Sequence, residues 1–175
     1  MIGHGAAGLK RVLSDADAPD GSRFDRCFDE YLLDALQRFN RPQPRLALGQ
    51  ALRGIATSCI DISDGLLADL QHVLSASEVG VCLVLESVPL SDAVMTGCLF
   101  GDKSEREKRL LACNAGDDYE LCFTAPVTAR GSIVMESDAL DVALTRIFIN
   151  NRSCRRRGEL RPRKTPNQSE KQSRK

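Results

Sequence analysis

The 175-residue sequence contains no tryptophan and only eight aromatic residues, six Phe and two Tyr. Because proteins that bind single-stranded nucleic acid stack bases on aromatic side chains, nucleic acid is not expected as a partner. The longest apolar run, VGVCLVL, is far shorter than the roughly 20 residues that cross a bilayer, and no secretory signal is recognisable. These absences predict a cytoplasmic protein without membrane contact.

The seven cysteines are dispersed and include no CxxC pair, which excludes the usual zinc-binding spacings. Their odd number argues against a disulfide framework, and several lie in apolar contexts such as VCLVL and LCF. Cysteine behaves as a small hydrophobic residue in such contexts. The cysteines therefore predict a reducing compartment.

The formal net charge is zero, but the charges are distributed unevenly along the chain. Residues 150–175 contain ten Lys/Arg and two Asp/Glu, a net charge of +8, so residues 1–149 carry −8. The basic segment also has almost no large apolar side chain and cannot bury enough surface to fold alone. We expect a folded acidic domain over residues 1–149 and a disordered basic tail over residues 150–175.

Helical and strand patterns alternate along the predicted domain. Apolar periodicity predicts helices at residues 23–39, 46–54, 65–74 and 103–113. Short apolar and β-branched runs predict strands at residues 55–61, 81–90 and 120–126, and residues 138–149 predict a helical turn entering a last strand. Some connections are too short for the crossovers of a parallel sheet. We therefore expect an α+β domain with a mixed β-sheet and packed helices.

The stretch CIDISDGLLADL places Asp61 and Asp64 where a predicted strand ends and a helix begins. Two carboxylates at this spacing can hold Mg²⁺, and a helix N-terminus preceded by Gly65 favours phosphate. The alternative is that Ser63 or Asp64 is an ordinary N-cap, which spacing alone favours because caps are common. Capping does not explain Asp61 on the preceding apolar strand, and this shifts the balance toward a metal–phosphate site.

A second acidic turn, NAGDDYEL, carries Asp117 and Asp118 before the strand at residues 120–126. Asp-rich turns are common, so this motif alone is a weak signal. Two acidic turns at strand ends in one small domain can, however, face a single cleft. Neither histidine, His4 or His72, has a partner for a catalytic triad, so no catalytic residue is predicted.

Several segments, taken in order, resemble the C-terminal domain of thiamine-monophosphate kinase, a member of the aminoimidazole-ribonucleotide synthetase superfamily. They are GHGAAGL, RPQPRLALGQALRGIATSCIDISDGLLADLQHVL, VGVCLVLESVPL and NAGDDYELCFTAP. The resemblance extends from about Gly3 to Ile147. It implies Mg²⁺- and ATP-dependent phosphorylation of thiamine monophosphate to thiamine diphosphate.

The same resemblance implies roles for individual side chains. Asp61 and Asp64 match metal ligands, and Ser63 between them matches a contact to the ATP nucleotide. Asp117 matches a substrate-binding position, and Asp118 is a further candidate for that role.

The resemblance also implies a homodimer formed through an N-terminal ATP-binding domain, which does not precede the matching region in this sequence. We therefore expect a truncated kinase with little or no activity by itself. Two other classes stay open. One is a related enzyme resembling selenophosphate or aminoimidazole-ribonucleotide synthetase, and the other is a non-catalytic module that binds partners through its basic tail.

Overall fold

The computed structural model describes residues 26–96, 99–149 and 160–162. Short 3₁₀ turns at Leu85–Ser87 and Val127–Ala129 accompany the helices and strands. In chain order these elements are α1 (Arg26–Asn40), α2 (Leu46–Ala51), β1 (Ser58–Asp61), α3 (Leu66–Ser77), β2 (Val81–Leu83), α4 (Asp92–Met95), α5 (Glu105–Asn114), β3 (Leu121–Thr124), α6 (Arg130–Leu140), β4 (Phe148–Ile149) and β5 (Leu160–Pro162).

The described strands form two small sheets. β1 pairs antiparallel with β3, and their register places Asp61 opposite Leu121. β2 lies between β4, to which it is antiparallel, and β5, to which it is parallel. The predicted α+β class with mixed strand pairing is confirmed, although the strands divide between two sheets. The β1–β3 pair brings the end of one strand beside the start of the other.

The core is built on the apolar face of α3. Leu66, Leu70 and Leu74, spaced by four residues, are each at most 3% exposed and pack in one cluster with Ile62 and Cys122. Burying each leucine stabilises the fold by about 2 kcal/mol. This packing fixes the N-terminus of α3 next to the end of β1, where the candidate site residues lie.

Two predicted elements differ from the structure. Only Val81–Leu83 of the predicted strand 81–90 is a strand, because a local turn follows in which Leu85 and Val88 are both buried. Helix α6 begins eight residues before the predicted helical turn at residue 138. This helix has no buried residue, so no apolar face marks its start in the sequence.

The predicted disordered tail is described only at Leu160–Pro162, which form β5, a strand that the prediction did not include. The remainder of residues 150–175 lies outside the described residues, as do residues 23–25 of the first predicted helix. Of the helices that the structure describes, none combines the length and the apolar character needed to cross a bilayer.

The described cysteines have two different states. Cys59, Cys113 and Cys122 are free thiols, whereas Cys82 is disulfide-bonded, which the sequence analysis did not expect. Burial raises the pKa of both Cys113 and Cys122 to about 11. These two thiols are therefore uncharged at neutral pH and unreactive, as their apolar sequence contexts predicted.

Candidate active site at two acidic turns

Two acidic turns meet at one end of the β1–β3 pair: the first acidic turn (residues 61–65) and the second acidic turn (residues 116–120). The Ile62 N–H donates to the Glu120 carbonyl oxygen at 2.8 Å, and the Tyr119 N–H donates to the Ile62 carbonyl oxygen at 2.8 Å. The Asp117 N–H donates to the Ser63 carbonyl oxygen, also at 2.8 Å. Backbone hydrogen bonds thus join the two turns into one unit.

Glycine makes this close approach of the two backbones possible. A Cβ atom on Gly116 would collide with the carbonyl oxygen of Ser63 and lie 3.4 Å from the Cα of Asp64. Gly65 has a φ of +114°, and a Cβ there would lie 3.1 Å from the backbone of Asn114. Both turns therefore need a residue without a side chain at these positions.

A buried carboxylate holds the first acidic turn in shape. Asp69, in α3, is 3% exposed, and its Oδ2 accepts hydrogen bonds from the Ser63 N–H at 2.9 Å and the Asp64 N–H at 3.1 Å. The N-cap of α3 is Gly65, with no side-chain capping bond, so the N-cap interpretation of Ser63 or Asp64 is wrong. Because Asp69 already occupies these two N–H groups, they are not available to a phosphate.

Three aspartates of the two turns surround the Tyr119 side chain. The Tyr119 hydroxyl donates to Asp117 Oδ1 at 3.2 Å. The pKa of Tyr119 is raised, first by this hydrogen bond and then by the Asp117 charge, with smaller contributions from Asp61 and Asp64. The structure thus brings together Asp61, Asp64 and Asp117, which the sequence separates by more than 50 positions.

The remaining predicted residues lie close to this group. Ser63 is half-buried between Asp61 and Asp64, and Asp118 faces in part toward Cys113, because its charge contributes to the raised pKa of that thiol after burial. Asp117 and Tyr119 have φ angles of 62° and 52°. Left-handed backbone is uncommon for residues other than glycine and is often found at functional sites.

The donor chemistry at the first acidic turn fits a hard divalent cation. Asp61 and Asp64 are both exposed, and Mg²⁺ prefers one or two carboxylates completed by phosphate and water oxygens. No group of three or more His, Cys, Asp or Glu residues in the described part of the chain is arranged to hold a metal ion. The two aspartates therefore suit a metal that a phosphate ligand shares.

A cavity of about 560 Å³ opens beside the second acidic turn. The end of α1 and the linker after it form one wall, and residues 117–120 contribute the other. The charged side chains of the cavity lie on both walls; they are Asp34, Arg38, Arg41, Arg45, Asp117, Asp118 and Glu120. Among the residues of the acidic turns, the cavity thus includes both predicted substrate-binding aspartates.

An ion pair connects the two walls of the cavity. The Arg45 guanidinium donates to both carboxylate oxygens of Glu120, at 2.7 and 2.8 Å. Burial opposes ionisation of Glu120, but the hydrogen bonds from Arg45 and nearby positive charges, including Arg38, outweigh it, so the pKa of Glu120 is lowered. The paired Glu120 also raises the pKa of Arg45.

The lowered pKa of Glu120 predicts a pH-dependent contribution to stability. Because the carboxylate is more acidic in the folded state, its contribution is present above its unfolded value of 4.5 and is lost as the pH falls through the folded pKa. We expect the free energy of unfolding to decrease less for Glu120→Gln than for the natural protein between about pH 6 and about pH 3. Urea unfolding measures this difference.

Glu86→Gln is the matched control, since Glu86 is exposed. We expect it to follow the natural protein over the whole pH range. If Glu120→Gln also follows the natural protein, the Arg45–Glu120 pair contributes nothing to the acid sensitivity of the fold.

Several site residues have weak signals in the sequence. Asp69 is recognisable in retrospect as a charged residue on the apolar face of α3, between Leu66 and Leu70. Arg45 and Glu120 are 75 positions apart, and nothing in the sequence indicates that they pair. Tyr119 reads as the first residue of a strand and gives no sign of its hydrogen bond to Asp117.

The solved structures with a similar fold are kinases. One is the thiamine-monophosphate kinase of Stenotrophomonas maltophilia, with a TM-score of 0.68 and 33% identity, covering 85% of this chain and 44% of that chain. Another is AaThiL complexed with AMPPCP and TMP, with a TM-score of 0.58 and 30% identity, covering 74% of this chain and 38% of that chain. No family model matches the sequence.

Curated relatives agree with these structures. The thiamine-monophosphate kinase of Haemophilus influenzae is 37% identical over 162 residues, which is 93% of this chain and 44% of the relative. That of Escherichia coli is 43% identical over 141 residues, 80% of this chain and 36% of the relative. The chain is therefore a partial homologue of the thiamine-monophosphate kinases, matching their C-terminal part, and it spans less than half the length of these relatives.

Proposed function

We propose that this chain is the C-terminal part of a kinase that transfers a phosphoryl group from ATP to thiamine monophosphate, giving thiamine diphosphate. The observation that carries the proposal is the grouping of Asp61, Asp64 and Asp117 around Tyr119 on an exposed face beside a cavity. The relatives support it, since a homologous structure contains both AMPPCP and TMP.

The proposed roles follow from the chemistry of each side chain. Asp61 and Asp64 would hold Mg²⁺, which neutralises phosphate charge when it is bound. Ser63 would contact the nucleotide, and Asp117 and Asp118 would contact thiamine monophosphate. Phosphoryl transfer depends mainly on positioning and charge stabilisation, so a site without a protein nucleophile is sufficient.

The positioning is supplied by groups that do not touch the reactants. Asp69 holds the backbone of Ser63 and Asp64, and the tight contact at Gly116 holds the second acidic turn against the first. The Tyr119 hydroxyl orients the Asp117 carboxylate. A turn fixed in this way loses little conformational entropy when phosphate and metal bind.

The proposal extends to the organisation of the protein. We propose a synthetase-like C-terminal domain over residues 1–149, a basic tail over residues 150–175 and a homodimer, as the family resemblance implies. We also propose a cytoplasmic location, which the free thiols of Cys59, Cys113 and Cys122 support and the bonded Cys82 does not.

Binding of AMPPCP to the purified chain tests the assignment of the first acidic turn. We expect Mg²⁺ to strengthen AMPPCP binding, and Asp61→Asn and Asp64→Asn each to weaken the Mg²⁺-dependent part by about tenfold or more, because each removes a charged oxygen ligand. Isothermal titration calorimetry with and without Mg²⁺ measures this effect.

Asp102→Asn provides the control, because Asp102 is an exposed aspartate outside both acidic turns. It should bind AMPPCP like the natural chain. Binding that is independent of Mg²⁺, or an equal loss in all three variants, would contradict the metal-ligand roles of Asp61 and Asp64.

A further inference from the structure

The cavity beside the second acidic turn contains an arginine without a carboxylate partner in the described part of the chain. Arg38 pairs with Asp34 at 3.1 Å, and Arg45 is bonded to Glu120 through two hydrogen bonds. The guanidinium of Arg41 has no hydrogen bond or ion pair to any residue that the structure describes. Arg41 therefore presents an uncompensated positive charge to the cavity.

The position of Arg41 is fixed by its backbone. The Arg41 N–H donates to the carbonyl oxygen of Gln37 at 2.8 Å, which continues the hydrogen-bonding pattern of α1 by one residue. Pro42 follows and limits the conformations of the chain after the helix. The guanidinium thus projects from an ordered point on the basic wall of the cavity.

We propose that the cavity is the subsite for the phosphate of the acceptor and that the Arg41 guanidinium contacts this phosphate directly. The inference rests on the proposed function, because it assigns a phosphate monoester as the acceptor. The planar guanidinium donates two parallel hydrogen bonds to a phosphate, and such charge-assisted pairs are among the strongest polar contacts in proteins.

The two signs of charge in the cavity match the two charges of the acceptor. Thiamine monophosphate carries a phosphate and a permanently positive thiazolium ring. Arg41 offers a partner for the phosphate, and Asp117 and Asp118 offer negative charge to the ring. The volume of about 560 Å³ lies within the range of small-molecule sites, and Asp117 places the cavity next to the first acidic turn.

Binding of thiamine monophosphate and of thiamine to the purified chain separates the phosphate contribution from that of the ring. We expect thiamine monophosphate to bind more tightly than thiamine, and Arg41→Gln to weaken thiamine monophosphate binding about tenfold while leaving thiamine binding unchanged. Arg41→Lys, which keeps the charge but loses the bidentate geometry, should retain part of the difference. Calorimetric titration measures all four affinities.

Arg53→Gln is the matched control, since Arg53 is an exposed arginine outside the cavity lining. It should leave both affinities unchanged, and thermal unfolding confirms that each variant is folded. Equal affinity of the natural chain for thiamine and thiamine monophosphate, no binding of either, or an Arg41→Gln variant that matches Arg53→Gln would overturn the inference. Mg²⁺-dependent AMPPCP binding, measured separately, shows whether the proposed function survives that result.

Discussion

Replacing Gly116 with alanine is expected to lower the free energy of unfolding by about 3 kcal/mol. The added Cβ would collide with the carbonyl oxygen of Ser63, and both partners belong to backbone that hydrogen bonds hold in place. The collision cannot be relieved by rotating a side chain, so the two acidic turns must separate. Chemical denaturation measures the loss, and Mg²⁺-dependent AMPPCP binding should weaken with it.

Gly131 provides the opposite control within the same chain. It lies in α6, and a Cβ there meets no atom within 4 Å. Gly131→Ala should therefore stabilise the protein by up to about 1 kcal/mol, because alanine favours helix over glycine. If the two variants are equally stable, the tight contact between the acidic turns is not a feature of the folded protein in solution.

Replacing Asp69 with alanine is expected to cost about 3 kcal/mol of folding stability. The substitution removes a charged acceptor and leaves the N–H groups of Ser63 and Asp64 without the bonds that the fold provides. Asp69→Asn should cost less, since its amide oxygen can still accept while the charge is lost. Urea unfolding of both variants gives the order of stability.

Asp138→Ala is the control for this substitution, because Asp138 is an exposed aspartate in α6. Its effect should stay within about 0.5 kcal/mol, so that any larger loss at Asp69 reflects the buried hydrogen bonds. A loss at Asp69 no greater than at Asp138 would show that the first acidic turn keeps its shape without the carboxylate. A stable Asp69→Ala protein with unchanged AMPPCP binding would lead to the same conclusion.

Local patterns in the sequence predicted most of the elements that have an apolar face. The periodicity around Leu66, Leu70 and Leu74 predicted α3, because these side chains enter the core directly. Helix α6 was found only at its end, since none of its residues is buried and no apolar stripe marks it. The same reason applies to the predicted strand 81–90, whose later apolar residues are buried from a turn instead.

The candidate site was predictable in its residues but not in its construction. Asp61, Asp64 and Asp117 were recognisable as acidic residues at strand ends, and the structure brings them together. The buried role of Asp69 and the ion pair between Arg45 and Glu120 depend on tertiary contacts that no local pattern encodes. The N-cap alternative failed because Asp69 reaches the turn from within the helix.

The pairing of β1 with β3 has a consequence for when the site forms during folding. Thr57 and Thr124, at the far end of this pair, are 67 positions apart in the chain, so the pair closes a long loop. Such nonlocal contacts carry a large entropic cost that local helices avoid, and they form late. Ligand affinity at the two turns should therefore appear together with cooperative global folding, and peptides containing one turn alone should have none.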